Sequence, residues 1–360
     1  MTTIGILGAG QLGRMLALAG YPLGMRFRFL DPASDSPAGL LAEHLAFDYS
    51  DKSTLEQFAS GLDVITYEFE NVPVESACYL EQNVPVYPPP IALEKAQDRL
   101  VEKSFFCELG IPTPKLTPDL KNERTNQVGF PAVLKPRRMG YDGKGQTVIH
   151  SQLELDSQIE SKKTENFILE EFISFDRELS IIGVRNKTGD MKFYPLVENH
   201  HRDGILRLSL VTGNIPLQLR KQAEEYCAMV MSALNYVGVL VIELFEKNGR
   251  LLANEMAPRV HNSGHWTIEG ALTSQFENHL RAVSDLPLGS TDPLGVCAMV
   301  NLVGDFHDVK SILKIDGAHL HLYDKAPRPK RKIGHVTFIE QDLDALQRKL
   351  DLLKEIVHVL

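Results

Sequence analysis

Three stretches of this 360-residue chain hold residue types and spacings suited to phosphate and metal chemistry. In VLKPRRMGYDGKGQ, a strand-like run delivers Lys135, and Gly140, Gly143 and Gly145 follow within a few residues. Closely spaced glycines let backbone N–H groups wrap polyphosphate oxygens, while a lysine on a strand neutralises charge. No Gly-Lys-Ser/Thr opens a helix there, so the loop is not of the Walker A type. A solvated turn is the plain alternative. In YVGVLVIELF-EKNGR-LLANEM, Glu243 and Glu255 each interrupt an apolar run. Acidic residues are seldom buried unless paired or bound to a cation, and two glutamates on adjacent strands offer hard oxygen ligands for magnesium on nucleotide phosphates. APRVHNSGHW follows directly and gathers Arg259, His261, Asn262 and His265 in a segment without helical or strand periodicity. Such a polar loop suits an oxyanion substrate or a hydrogen-bonded structural turn.

The elements that must carry these residues follow from pattern. Residues 1 to about 95 alternate short apolar runs with helical segments, the rhythm of a parallel βαβ unit closed by VYPPP. A single helix is expected from about Ile91 through EKAQDRLVEKSFFCELG, then strands from 130 to 185, and a helix near 218–234. Asn248-Gly249 between apolar runs signals a hairpin. A two-residue loop sets Glu243 opposite Asn254; a loop one residue longer sets it opposite Glu255, and the pattern leaves the register open. Beyond about 288 lies a smaller β-rich remainder with a terminal helix, and YDKAPRPKRKIGH there collects Lys325, Arg328, Lys330, Arg331 and Lys332. That basic cluster reads as a solvated loop or as a phosphate site.

Composition narrows the classes. A formal charge of −9 argues against general affinity for nucleic acid or an anionic membrane. Cys78, Cys107, Cys227 and Cys297 are scattered without a C-x-x-C pair, as expected of free thiols in a reducing, cytoplasmic setting. The opening run lacks the basic flank and small-residue cleavage site of a secretory signal. That run, IGILGAGQLGRM, holds a complete G-x-G-x-x-G (Gly8, Gly10, Gly13), with Asp31 at the ribose-binding spacing. Alone it reads as a dinucleotide site and an NAD-dependent oxidoreductase.

In order along the chain, GAGQLGRML, QDRLVEK, GYDGKGQ, DGILRLS, YVGVLVIELF, NEMAPRVHNSGHWT and RKIGH resemble the ATP-grasp superfamily, and within it the branch that carboxylates aminoimidazole ribonucleotide. The resemblance covers nearly the whole sequence. It implies an α/β protein, α+β in the ATP-binding part: a Rossmann-like pre-ATP-grasp domain (1–102), an ATP-grasp domain of two antiparallel sheets (103–287) and a small β-rich C-terminal domain (288–360). It implies ATP held by Arg99 and Lys135 at the phosphates and by a mobile lid of Gly140, Tyr141, Asp142, Gly143, Lys144, Gly145 and Gln146. Glu170, Glu171, Phe172 and Ile173 match the adenine-side connector, Glu178 the ribose, and His201 a position near the nucleotide. Glu243 and Glu255 match the magnesium ligands (manganese being the alternative), with Asn254 beside them. The branch places Ala257 where many relatives carry a further asparagine. Arg259 matches the arginine that steadies bicarbonate and carboxyphosphate. Asp142, His261 and Asn262 match residues near the aminoimidazole, and Lys325 and Arg331 the pair holding the ribotide phosphate.

On this resemblance the opening glycine loop faces the acceptor, with Gln11 and Leu12 approaching the ribotide and Glu68 on the same rim. The implied reaction joins ATP and bicarbonate into carboxyphosphate, which carboxylates the 5-amino group of 5-aminoimidazole ribonucleotide. The implied partners are these small molecules and a second copy of the chain, with no nucleic acid and no membrane. A formate-using glycinamide ribonucleotide transformylase is the near alternative, and NEMAPRVHNSGHW favours the aminoimidazole branch. A non-catalytic nucleotide-binding regulator is expected to lack Lys135, Glu243 or Glu255, and all three are present.

Overall fold

A computed structural model describes residues 1–121, 125–140, 145–160, 163–305 and 308–357. Its described residues form three sheets. The first is fully parallel, in the order β3-β2-β1-β4, from β1 (Thr3–Leu7), β2 (Arg26–Leu30), β3 (Glu43–Leu45) and β4 (Val64–Tyr67). Helices α1 (Gln11–Gly20), α2 (Lys52–Ala59) and α3 (Val74–Glu81) connect and flank it, as the βαβ pattern requires.

The single helix expected from Ile91 is instead two, α4 (Pro90–Ala96) and α5 (Arg99–Glu108). Asp98 breaks it: its backbone is extended and its side chain caps α5 by accepting the Leu100 N–H at 3.0 Å. A domain boundary between 102 and 103 therefore falls inside α5. The second sheet, β5-β8-β6-β7, is antiparallel and comprises β5 (Leu116–Thr117), β6 (Ala132–Pro136), β7 (Thr147–Ile149) and β8 (Phe167–Glu171). The short α6 (Thr125–Val128) precedes the stretch from 130 to 185 that the sequence suggested was strands alone, and α7 (Gln152–Ile159) interrupts it. Leu134 and Leu169 face the apolar core of this sheet, which turns Lys135 and Glu170 to its opposite face.

The third sheet carries nine strands: β9 (Arg177–Arg185), β10 (Met191–Phe193), β11 (Val197–Arg202), β12 (Ile205–Val211), β13 (Gly238–Lys247), β14 (Arg250–Ala257), β15 (Val296–Val303), β16 (His319–Leu322) and β17 (Lys332–Glu340). The order is β14-β13-β9-β11-β12-β15-β17-β16, with β10 on β9. The β-rich remainder thus continues the sheet of the β13–β14 hairpin rather than forming one of its own. Along β13 the side chains alternate between two cores, Val239 and Val241 on one face and Leu240, Ile242 and Leu244 on the other. Burial on both faces accounts for that run being apolar almost throughout. Helices α8 (Leu217–Ala233), α9 (Thr267–Gly270), α10 (Gln275–Val283), α11 (Val309–Leu313) and α12 (Leu343–Ile356) cover the faces.

Candidate active site

The hairpin register combines both alternatives read from the sequence. The turn is the two-residue one: Lys247 pairs with Arg250, and Asn248 and Gly249 both adopt positive φ. A bulge between the Glu243 and Leu244 pairings then sets Glu255, not Asn254, opposite Glu243. Leu251, Ala253 and Met256 all face the same apolar core, so the bulge breaks the period of two. Without it Glu255 would point into that core. With it, Glu243, Asn254 and Glu255 share the open side.

These carboxylates line a cleft with Arg99, Gly140, Arg259 and His261. Burial, then the neighbouring Glu255, raises the Glu243 carboxyl to about 7. Burial also opposes charge on Glu255, but Arg99 outweighs it, donating at 2.7 Å, and holds Glu255 below its ordinary value. The Asn254 Oδ1 is buried with no hydrogen-bond partner. Two partly repelling carboxylates and an orphaned amide oxygen fit a hard divalent cation. Among the described residues no cluster of three or more His, Cys, Asp or Glu could hold a metal ion.

Across the cleft, Lys135 donates to Glu170 Oε1 at 2.7 Å, and Lys103 lies 3.4 Å from Glu170 Oε2. Burial disfavours the Glu170 charge, yet the two lysines hold its carboxyl below the usual range. Arg99 also donates to the Gly140 carbonyl at 3.0 Å, tying the start of the glycine-rich loop to Glu255. Gly145 (φ 78°) and Gln146 follow; Tyr141, Asp142, Gly143 and Lys144 lie outside the described residues. Glu171 ends β8 with its N–H donated to the Lys115 carbonyl, Phe172 is 41% exposed, and Ile173 is buried.

Glu178 and His201 meet at 2.7 Å. Burial lowers the imidazole's pKa, but the Glu178 hydrogen bond and the Glu243 charge raise it overall. His261 is the opposite case: burial, then Arg259 and Lys332, hold it well below its ordinary value and so neutral. Its Nδ1 accepts the Ser263 N–H at 3.3 Å, which leaves the proton on Nε2, 3.5 Å from Glu243 Oε1. A buried chain supports that ring: Ser209 donates to Asn199, Asn199 to Ser180, and Ser180 to Ser263. Asn262 exchanges amide hydrogen bonds with Asn301 at 3.0 and 2.7 Å. His265 does not join this site; it is fully buried beside Phe276, Tyr323 and His335.

Arg259 pairs with Glu70, a residue that sequence reasoning missed because TYEFEN offers two acids two residues apart. The other is Glu68, expected on the acceptor rim. Its buried carboxylate accepts the Gly10 N–H and, at 2.7 Å, the Gly13 N–H, capping α1 from outside. A carboxylate therefore occupies the anion cradle at the helix start where a dinucleotide would place pyrophosphate. Asp31 is likewise engaged, accepting the Ala9 and Ala33 N–H groups at 2.9 and 2.8 Å. The dinucleotide reading of the glycine loop fails on both counts. Leu12, also expected toward the ribotide, buries its side chain in the core. Gln11 stays on the rim and is bonded by Lys325, which brings the basic segment to the opening loop. Arg331 donates to the Ala326 carbonyl at 3.2 Å, closing that segment on itself.

Residues 1–97 match the ribonucleotide synthetase preATP-grasp domain, 104–276 the ATP-grasp domain, and 297–349 the phosphoribosylaminoimidazole carboxylase C-terminal domain. The chain is 49% identical over 352 residues to the N5-carboxyaminoimidazole ribonucleotide synthase of Pseudomonas aeruginosa, covering 96% of this chain and 97% of that protein. The crystal structure of N5-carboxyaminoimidazole ribonucleotide synthetase from Thermus thermophilus superposes with a TM-score of 0.95 at 54% identity, over 99% of both chains. That of the Aspergillus clavatus synthase, in complex with ADP and 5-aminoimidazole ribonucleotide, gives 0.89 at 29% identity, again over 99% of both.

Proposed function

The chain belongs to the N5-carboxyaminoimidazole ribonucleotide synthase family of ATP-grasp ligases, and from that premise we propose how its residues divide the reaction. The protein catalyses the ATP-dependent carboxylation of 5-aminoimidazole ribonucleotide to the N5-carboxy product, a step of purine biosynthesis.

Arg99 and Lys135 take the ATP phosphates, while Gly140 to Gln146 close over them. Each of these cations faces a carboxylate of its own, Arg99 with Glu255 and Lys135 with Glu170. Glu170 to Ile173 border the base, and Glu178 with His201 the ribose. Magnesium, held by Glu243 and Glu255 with Asn254 beside them, supplies positive charge where phosphoryl transfer builds negative charge. Arg259 orients bicarbonate and then carboxyphosphate. His261, neutral with its proton on Nε2, and Asn262 face the aminoimidazole together with Asp142. Lys325 and Arg331 hold the ribotide phosphate near Gln11, and Glu68 fixes the loop that presents it. Carboxyphosphate hydrolyses readily, so closure that excludes water is part of the chemistry.

The observation that carries this reading is the convergence, in one cleft, of the bulged glutamate pair, Arg99, Arg259 and the neutral His261. The proposal extends to a cytoplasmic homodimer. Four unpaired cysteines support a reducing compartment, and the dimer rests on family resemblance. No helix among the described residues is long and apolar enough to cross a membrane.

The test is ATP cleavage by the purified protein. It should be slow alone and rise steeply when aminoimidazole ribonucleotide, bicarbonate and magnesium are present together, with labelled bicarbonate appearing as an acid-labile carbamate. Stimulation by glycinamide ribonucleotide and formate in place of the first pair would reassign the acceptor.

A further inference from the structure

Two consecutive residues of α5 reach into the hairpin at the place where its register shifts. β14 is the edge strand of the large sheet, so its outward backbone groups need partners from elsewhere. The Ala253 N–H donates to the Pro112 carbonyl at 2.7 Å, and the Ala253 carbonyl accepts Lys103 Nζ at 3.2 Å. In an unbroken strand the next outward N–H would belong to Glu255. Here it is the Met256 N–H that reaches α5, donating to Glu102 Oε1 at 2.6 Å. Glu102 and Lys103 thus hold the backbone on either side of Asn254, left unpaired by the register shift, and Glu255, which opposes Glu243. Both side chains are almost wholly buried, where an ionisable group needs a defined task.

We infer that Glu102 and Lys103 are positioning residues that clamp the β14 bulge and thereby keep Glu255 on the open side beside Glu243. The inference rests on the reading of Glu243 and Glu255 as the metal carboxylates. Lys103 has a second tie, to Glu170 on the other sheet, so the same pair also fixes the spacing between the two walls of the cleft. α5 is the element that passes between those walls, and its cap at Asp98 sets where Glu102 and Lys103 emerge.

Two conservative variants separate a hydrogen-bond clamp from a mere buried charge. Burial raises the Glu102 carboxyl to about 8, so what the two variants change is reach and ionisability: Glu102→Asp keeps a carboxyl but withdraws it by one methylene, and Glu102→Gln abolishes ionisation and keeps an acceptor at the same reach. Manganese binding to the full chain with ADP present is measured from the free-ion resonance, and amide exchange is followed across residues 251–257. Glu102→Asp should weaken manganese binding roughly tenfold or more, the usual scale for groups that orient metal ligands, and speed exchange at Met256. Glu102→Gln should stay within about threefold of wild type on the same scale. The reverse ranking, or unchanged binding and exchange in Glu102→Asp, overturns the clamp. Glu255→Gln is the reference: unchanged manganese binding in that variant overturns the metal assignment, while the exchange measurement still decides the clamp.

Discussion

Glu255 shows how one side chain serves opposed requirements. It sits close enough to Glu243 to repel it, and Arg99 holds it charged despite that repulsion. Glu255→Gln removes the charge but keeps the shape. Turnover should fall roughly a hundredfold or more, since metal-borne charge stabilisation is worth several kcal/mol, while the melting temperature stays close to wild type; near-normal activity would sink the assignment. His201 gives a signed pH effect. Its folded pKa lies above the ordinary 6.5 because of Glu178 and Glu243, so its stabilisation is fully present at pH below that value. It is lost as pH rises through the raised pKa. His201→Gln should therefore lower stability more at acidic than at alkaline pH, as read by denaturant midpoints; a deficit that grows with pH contradicts the pairing.

At the scale of elements, the glycine loop and the hairpin each depend on one departure from regularity. Gly8 stands at φ 100°, and a Cβ there would lie 2.5 Å from Glu68 Cγ; Gly24, at φ 72°, has open space around it. Both positions disfavour a side chain, by about 1–2 kcal/mol of backbone energy, but only the first adds a clash with the residue that caps α1. Gly8→Ala should lower the melting temperature several degrees further than Gly24→Ala, and neither protein should show saturable NADH binding. Equal melting temperatures would mean that Glu68 moves aside freely. The hairpin was legible as a hairpin because Asn-Gly tolerates the two positive φ values its turn needs. The bulge also left a trace, since Leu251, Ala253 and Met256 break the alternation, but a strand with one open face hides that signal among half-buried positions. The split between α4 and α5 was missed because helical periodicity runs through Asp98, and only its cap reveals the stop.

Over the whole molecule, function depends on bringing chain ends to the middle. Lys325 reaches Gln11 across 314 positions, and His279 of α10 bonds Thr66 of β4 at 2.8 Å, tying the first sheet to the helices of the third. Arg331→Ala should raise the acceptor KM by roughly tenfold or more, the loss of one charge-assisted phosphate contact, and leave the ATP KM within about twofold. A raised ATP KM with unchanged acceptor KM would exchange the two subsites. The sequence by itself determined the parallel opening unit, the two glutamates and their turn, because period, turn residues and acids within apolar runs are local properties. It also carried the resemblance that named the reaction. Tertiary structure alone decided that Glu68 fills the dinucleotide cradle, that Glu70 pairs with Arg259, that His261 is neutral and His265 is core, and that α5 holds the bulge. Each of these depends on which distant group desolvates or bonds a residue, and distance in space is not written in the order of the chain.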